Sequence, residues 1–362
     1  MMSFLSLGFR MLVNVETLNM VESVGNVVRH RIVPMILRKE GGEYIIRWTP
    51  AISGECLAHA YQSLLADLAQ KRGLNVCYWC ARNEFIKHFD LNFYKLTSSQ
   101  ISYSHEENQL IKYLEKENLT LNDVKDIEGN IIRCCVIEDI GGFMVTQGPT
   151  KRTSRFHVSY AIPTYDTVEK GIVALDHQFM VRHAPEAELR RQGLKEIPPA
   201  QSPYYPQVGS ALYAWIFNLD VSGIGISSVS GESVLDANQI KQRKEVALDA
   251  LAEMLDCKLF GAKLTRFTPF IDFEVAVAVI SDKVRFTVSP PALDLKKFVL
   301  ETLDRADRAR EDIKDAAINI FLWCKDEDIR KIVEEVTGKR AKVIVTNSIR
   351  DLILDIKKEI IH

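Results

Sequence analysis

The residues best suited to chemistry fall into three groups. Cys77 and Cys80 form a CYWC pair, and Cys134, Cys135, His59 and His88 are further donors that could complete a metal centre with them. Structural zinc sites join two such knuckles at set spacing. No second CxxC or HxxxH partner follows here, so the pattern favours reduced, partly buried cysteines, and no metal or other cofactor is assigned. The second group is KRTSRFHVSY, where Lys151, Arg152 and Arg155 put three cations within five residues, beside Phe156 and His157. Cations that track phosphates and rings that stack on bases suit a single-stranded nucleic acid, with a solvated basic loop as the alternative. The third group lies at the amino-terminal end. In FLSLGFRMLVNVE the odd positions Leu5, Leu7, Phe9, Met11, Val13 and Val15 are apolar, while the even ones include Ser6, Gly8, Arg10, Asn14 and Glu16. This alternation describes a strand with one buried and one usable face. The loop after it carries Asn19, Ser23, Asn26, Arg29, His30 and Arg31. Such donors and cations suit a phosphate backbone, where hydrogen bonds and counterion release supply affinity without chemistry. A half-exposed edge strand with an ordinary surface loop is the competing reading.

Catalytic apparatus is not visible. The chain has no GxSxG, no HExxH and no paired-carboxylate motif. The loop SGIGISSVSG lacks the lysine of a P-loop and does not fit the dinucleotide fingerprint, which leaves a tight turn between strand and helix, or a ligand contact, as its role.

Composition sets the wider bounds. The 362 residues, 47% hydrophobic and 26% charged, are those of a soluble globular chain of one large or two to three ordinary domains. No apolar run reaches membrane-spanning length, and the amino terminus, interrupted by Arg10, reads as mature structure, not as a signal peptide. Seven cysteines at irregular spacing give no disulfide framework, which points to the cytoplasm. The net charge of −2 argues against nucleic-acid binding driven by bulk charge but leaves room for a local basic face.

The elements that must position these groups can be read in order. EYIIRW predicts a strand, and SGECLAHAYQSLLADLAQ predicts a helix with Ser53 as N-cap, Glu55 at its positive end and Leu57, Tyr61, Leu65 and Leu68 on its buried face. Residues 75–130 read as a mainly helical insertion, NIIRCCVIEDI as strand-like, and 163–207 as a Pro-rich stretch of mixed charge that is functional or mobile. ALYAWIFNLDV predicts a central strand with Tyr213, Trp215, Phe217, Leu219 and Val221 on one side. A helix over about 236–256 follows, then strands in DFEVAVAVI and KVRFTV, and beyond 295 helices around a short KVIV strand. The order suits an α+β fold with helices on one face of an antiparallel sheet.

Taken together, the amino-terminal strand and loop through NVVRHR, SGECLAHAYQSLL, TSRFHVSYAI and YAWIFNLDVSGIGIS resemble the CRISPR-associated RAMP superfamily. The likeness is to the Cascade backbone subunit of archaeal subtype I-A, the DevR-like autoregulator family, over roughly residues 1–290. The resemblance implies an RRM-like (ferredoxin-like) antiparallel core with a helical insertion and a thumb-like insertion. It divides the chain into core at 1–74, helical insertion at 75–130, core and basic loop at 131–162, thumb at 163–207, core at 208–294 and an extension at 295–362. It implies multiple copies bound head to tail on a CRISPR RNA (crRNA), other Cascade subunits, a target DNA strand that pairs with the guide, and no membrane. On that reading Asn14, Asn19, Ser23, Asn26, Arg29, His30, Arg31, Lys151, Arg152, Arg155, Phe156 and His157 hold RNA. Phe179, Met180, Arg182 and His183 become the thumb residues that could wedge between bases, with a local apolar cluster as their alternative. RNA-cleaving relatives use a loop aspartate near the first strand. Here no aspartate precedes Asp67 and Glu22 is the only acid in the loop, so the reading is a binder. Its alternatives are a metal-dependent endoribonuclease acting through Glu22 and a histidine, and a duplex-DNA-binding regulator.

Overall fold

The computed structural model describes residues 3–39, 41–88, 90–116, 118–146, 150–183, 201–258, 260–337 and 342–361. Strand β1 (Phe4–Glu16) is the centre of the main sheet. It pairs antiparallel with β12 (Gln201–Asp220) on one side and β13 (Phe270–Ser281) on the other. Beyond β13 lie β14 (Ile318–Cys324), antiparallel, and β15 (Val343–Val345), parallel to β14. The long β12 also gathers β8 (Phe156–Val158), β9 (Ile162–Pro163), β10 (Ala174–His177) and β11 (Met180–His183), all antiparallel. The hairpin β2 (Met20–Val24) and β3 (Val27–His30) joins it through a short parallel pairing at Tyr205 and Pro206. A separate hairpin is made by β4 (Ile32–Arg38) and β5 (Tyr44–Pro50), and another by β6 (Phe143–Val145) and β7 (Thr150–Arg152).

The alternation of β1 decides one core. Leu5, Leu7, Phe9, Met11 and Val13 are fully buried, as are Tyr213, Phe217 and, nearly, Trp215 from β12. Helix α1 (Gly54–Lys71) packs on this face through Leu57, Tyr61 and Leu65, capped as expected by Ser53 Oγ, which accepts from Cys56 N at 3.2 Å. Covering the insertion are α2 (Leu91–Thr97), α3 (His105–Ile111) and α4 (Leu121–Cys134), followed by α5 (Val136–Gly141) and the short α6 (Tyr165–Glu169). Helix α7 (Ala237–Cys257) starts at a capping box of Asp236 and Gln239. The last helices are α8 (Leu295–Asp312), α9 (Glu327–Thr337) and α10 (Ile349–Ile361).

Four expectations are corrected. Helices cover both faces of the sheet: α1, α7 and α10 share the first core, while α8 and α9 close a second core over Val275, Val277, Val279 and β14. The even face of β1 is therefore not a usable surface at its start. Ser6 and Arg10 are buried; Arg10 Nε lies 2.6 Å from Glu274 and its Nη1 donates to Leu293 O at 2.8 Å. Second, NIIRCCVIEDI is not a strand. It ends α4 and forms α5, because a short apolar run buried on every side has no readable period. Third, INIFLWC is the strand β14, whereas KVRFTV lies outside any ladder and crosses β1, with Phe286 and Val288 buried. Finally, a bulge between Val13 and Glu16, with Val15 at φ 58°, flips the parity of β1, so Val15 is exposed and Glu16 turns inward. Among the described residues no helix is long and apolar enough to cross a membrane.

Candidate nucleic-acid interface

The surface after β1 is built around one side-chain clasp. Asn19 Oδ1 accepts from Arg31 Nε (2.9 Å) and from Ser53 N (2.7 Å), and Asn19 O accepts from Arg31 N (2.9 Å). Three elements are thereby tied at one point: the end of β1, the β3–β4 junction and the start of α1. The clasp fixes the Arg31 guanidinium over the Tyr160 ring, 5.9 Å from its centroid and 3.5 Å from its hydroxyl. Two grooves meet here. One is lined by Asn19, Ser53, His59 and Ser63, the other by Glu22, Arg29, Leu175 and Gln207, and Val21 and Arg31 line both.

The β2–β3 hairpin forms a wall of the second groove. Its turn uses Gly25 at φ 59°, and Asn26 O accepts from Tyr205 N at 2.7 Å, which anchors the hairpin tip to β12. Arg29 pairs with Glu22 at 3.2 Å, each more than half exposed, and Ser23 and Asn26 are exposed. Such an open pair contributes little to stability and leaves Arg29 available to another anion. Lys151 and His157 are also exposed, on β7 and β8. Asn14 is half-buried and lines a separate apolar pocket with Leu12, Thr167 and Phe273.

Four expected contact residues are internal. His30 is buried: Nε2 lies 2.6 Å from Glu16 Oε1, and Nδ1 lies 2.8 Å from Arg31 O. Burial pulls the His30 pKa down, but the hydrogen bond and charge of Glu16 outweigh it and leave the value raised. Since both ring partners only accept, the geometry itself calls for a doubly protonated ring. Tyr213 donates to the same carboxylate at 2.7 Å. Arg152 has no exposed side-chain surface. It pairs with Asp139 (2.5 Å) and Glu128 (3.4 Å) and donates to Asp139 O, Gly223 O and Ile226 O. Glu128 in turn accepts from Ser227 Oγ, Ser228 N and Val229 N, so SGIGISSVSG is an internally pinned turn. Arg155 pairs with Asp220 at 3.3 Å, donates to Ser228 Oγ at 3.0 Å, and burial lowers its pKa. Phe156 is a core ring, stacked on Phe217 and edge-on to Tyr61. The charge run at 151–155 thus divides: one cation faces water and two hold the fold.

In the thumb segment, β10 and β11 make a ribbon with the first half of β12. Phe179 is 64% exposed and leans on Tyr205, with ring centroids 5.6 Å apart. Met180 is half-buried opposite Tyr204. The side chains of Arg182 and His183 lie outside the described residues. Sequence reasoning missed Leu175 and Gln207, which line the second groove, and Tyr160, whose ring and hydroxyl face Arg31; all three arrive from parts of the chain distant in sequence. It also missed the outer face of β4–β5. There Ile32, Ile36, Tyr44, Ile46 and Trp48 are all exposed, while Met35, Leu37 and Val168 pack beneath. The available signal was that IVPMILR and YIIRW carry apolar residues at both odd and even positions, so both faces of a strand pair built from them are apolar.

The profile of the family described as CRISPR-associated negative auto-regulator DevR/Csa2 matches residues 7–302. Two relatives come from Saccharolobus solfataricus. CRISPR-associated aCascade subunit Cas7/Csa2 2 is 32% identical over 355 residues, covering 97% of this chain and 98% of the relative. CRISPR-associated protein Cas7/Csa2 1 is 34% identical over 296 residues, covering 82% and 84%. Among solved structures, a chain of "CRISPR RNA-guided surveillance complex, pre-nicking" shares the fold at a TM-score of 0.52 and 11% identity, covering 99% of this chain and 100% of that one. This is a Cas7-type CRISPR-associated RAMP protein. The chain belongs to the DevR/Csa2 family.

Proposed function

We propose that this chain is a non-enzymatic backbone subunit of a cytoplasmic Cascade complex. Its copies bind crRNA head to tail, join other Cascade subunits, and present the guide for pairing with a target DNA strand in antiviral defence. The observation that carries this is the adjacency of two surfaces. The clasped Arg31 between its grooves continues directly into β4, whose hairpin exposes an apolar face. A polymer track beside a self-association face suits a subunit that repeats along a strand. Arg29, Arg31, Lys151 and His157 then meet phosphates, Asn19, Ser23 and Asn26 supply polar contacts, Tyr160 offers a stacking face, and Phe179 on the 163–207 thumb is the base wedge.

An RRM-like core is the finer reading of the fold. The order β13-β1-β12 with β8 and β9 next, and α1 and α7 on one face, supports it. Glu22 is the one acidic residue among the described residues lining the second groove, whereas a metal-dependent cut needs carboxylates gathered beside the scissile phosphate, which supports the binder over the nuclease.

The test mixes purified protein with crRNA or matched duplex DNA, with divalent metal present, and resolves complexes and RNA products on gels. Intact RNA bound more tightly than duplex is the expected result. Cut RNA would bring Glu22 forward as a catalytic group, and tighter binding to duplex would favour a regulator.

A further inference from the structure

The insertion brings together four soft or anionic donors that the RNA-binding account does not use. Cys77 and Cys80 flank the turn ahead of Ala81, and Cys135 and Glu138 sit at the start of α5. The chain therefore presents C-x-x-C and, more than fifty residues later, C-x-x-E. One ligand atom from each of the four lies within 4.8 Å of the others, and all four residues are buried. Of the further donors the sequence suggested, Cys135 joins the cluster while Cys134, His59 and His88 do not, and Glu138 is the member that spacing alone did not reveal.

We propose that Cys77, Cys80, Cys135 and Glu138 bind one structural zinc ion. Tetrahedral zinc with bonds of about 2.3 Å to sulfur and about 2.0–2.2 Å to oxygen sets ligand atoms roughly 3.3–3.8 Å apart, so closing the cluster takes shifts of under about an ångström. The shell around it is already built. His88, wholly buried and stacked on Tyr94, holds Glu138 through Nδ1 at 2.7 and 2.8 Å, an arrangement that fixes a ligating carboxylate. The two ligand segments are tied independently of any ion: Asn75 O accepts from Val136 N at 2.9 Å, and Asn75 Nδ2 donates to Arg133 O at 3.1 Å. Lys87, donating to Gly141 O at 3.0 Å, adds a cation beside an anionic site. Three thiols and one carboxylate on Zn²⁺ give a complex of charge −2, with three protons released to solvent. With four protein ligands no position is left for substrate, so the ion staples the insertion to the α4–α5 corner and does no chemistry.

The test is the metal content of the full-length protein produced with zinc in the medium and dialysed against chelator, by mass spectrometry of the metal. One zinc per chain is expected, reduced at least tenfold in Cys135→Ser and unchanged in Cys257→Ser, whose cysteine is exposed. Because Cys135→Ser could misfold, cobalt is also loaded into the wild-type chain, where thiolate-to-cobalt charge-transfer absorption with a tetrahedral visible band is expected. A chain that takes up neither metal, a zinc retained in Cys135→Ser, or a Cys77–Cys80 disulfide in protein purified without oxidant would overturn the proposal.

Discussion

Arg152 is the sharpest point at which the structure departs from what its basic surroundings suggest, and its replacement by alanine separates the two roles. The guanidinium is inaccessible and bridges Asp139 and Glu128 while donating to three carbonyls. Breaking a buried pair from one side costs about 3–5 kcal/mol, since it strands the partner charge. Here part of that cost is offset: Asp139 keeps Arg243 at 2.9 Å, and Glu128 keeps Ser227, Ser228 and Val229. The orphaned carbonyls of Gly223 and Ile226 add about 1–3 kcal/mol each when dry, not additively. A net loss of about 3–5 kcal/mol follows, or roughly 6–10 °C in melting temperature at about 2 °C per kcal/mol for a chain of this size. Thermal unfolding followed by circular dichroism measures it. RNA binding by the folded fraction should keep the wild-type salt dependence. A variant that melts like the wild type but binds RNA with a shallower salt slope would refute the reasoning and return Arg152 to the interface.

Arg29→Ala and Arg31→Ala should each reduce the slope of log affinity against log salt by about 0.7 per lost phosphate contact, while Arg308→Ala, exposed on α8, should not; equal slopes for all three would exclude the clasp from the site. The raised pKa of His30 means that its pairing with Glu16 stabilises fully below the ordinary value of 6.5 and that this contribution is lost as pH rises through the higher folded value. The stability difference between wild type and His30→Gln should therefore shrink above about pH 6.5, and a constant difference across pH would contradict the charged pair. In Gly8→Ala the new Cβ would meet Phe298 at 2.8 Å and Val288 at 3.0 Å, so a loss of about 1–3 kcal/mol is expected by denaturant unfolding; no loss would mean that the second core yields freely.

Much of the first core was legible because β1, β12 and α1 carry clean periods. Leu5 through Val13 and Tyr213 through Leu219 are buried on schedule. What the pattern hid was long-range. Nothing local reveals that α8 and the 283–288 segment cover Gly8, that Glu274, Asp166 and the Leu293 carbonyl close around Arg10, or that Glu16 lies behind a bulge. In the candidate site the hairpin cations Arg29 and Arg31 could be read from type and position. Arg152, Arg155 and His30 could not be told from them, because their acidic partners Asp139, Asp220 and Glu16 are supplied by the fold. Composition marks a cation, and only topology says whether a carboxylate awaits it.

The most direct test of the central claim is the mass of complexes formed on crRNAs of increasing length, by light scattering, for wild type and for Trp48→Glu, which puts a charge on the exposed β4–β5 face. The account predicts bound mass rising in steps of one 41.1 kDa chain as the RNA lengthens, and loss of that stepwise growth in the variant with single-copy binding retained. One copy bound whatever the RNA length would contradict it.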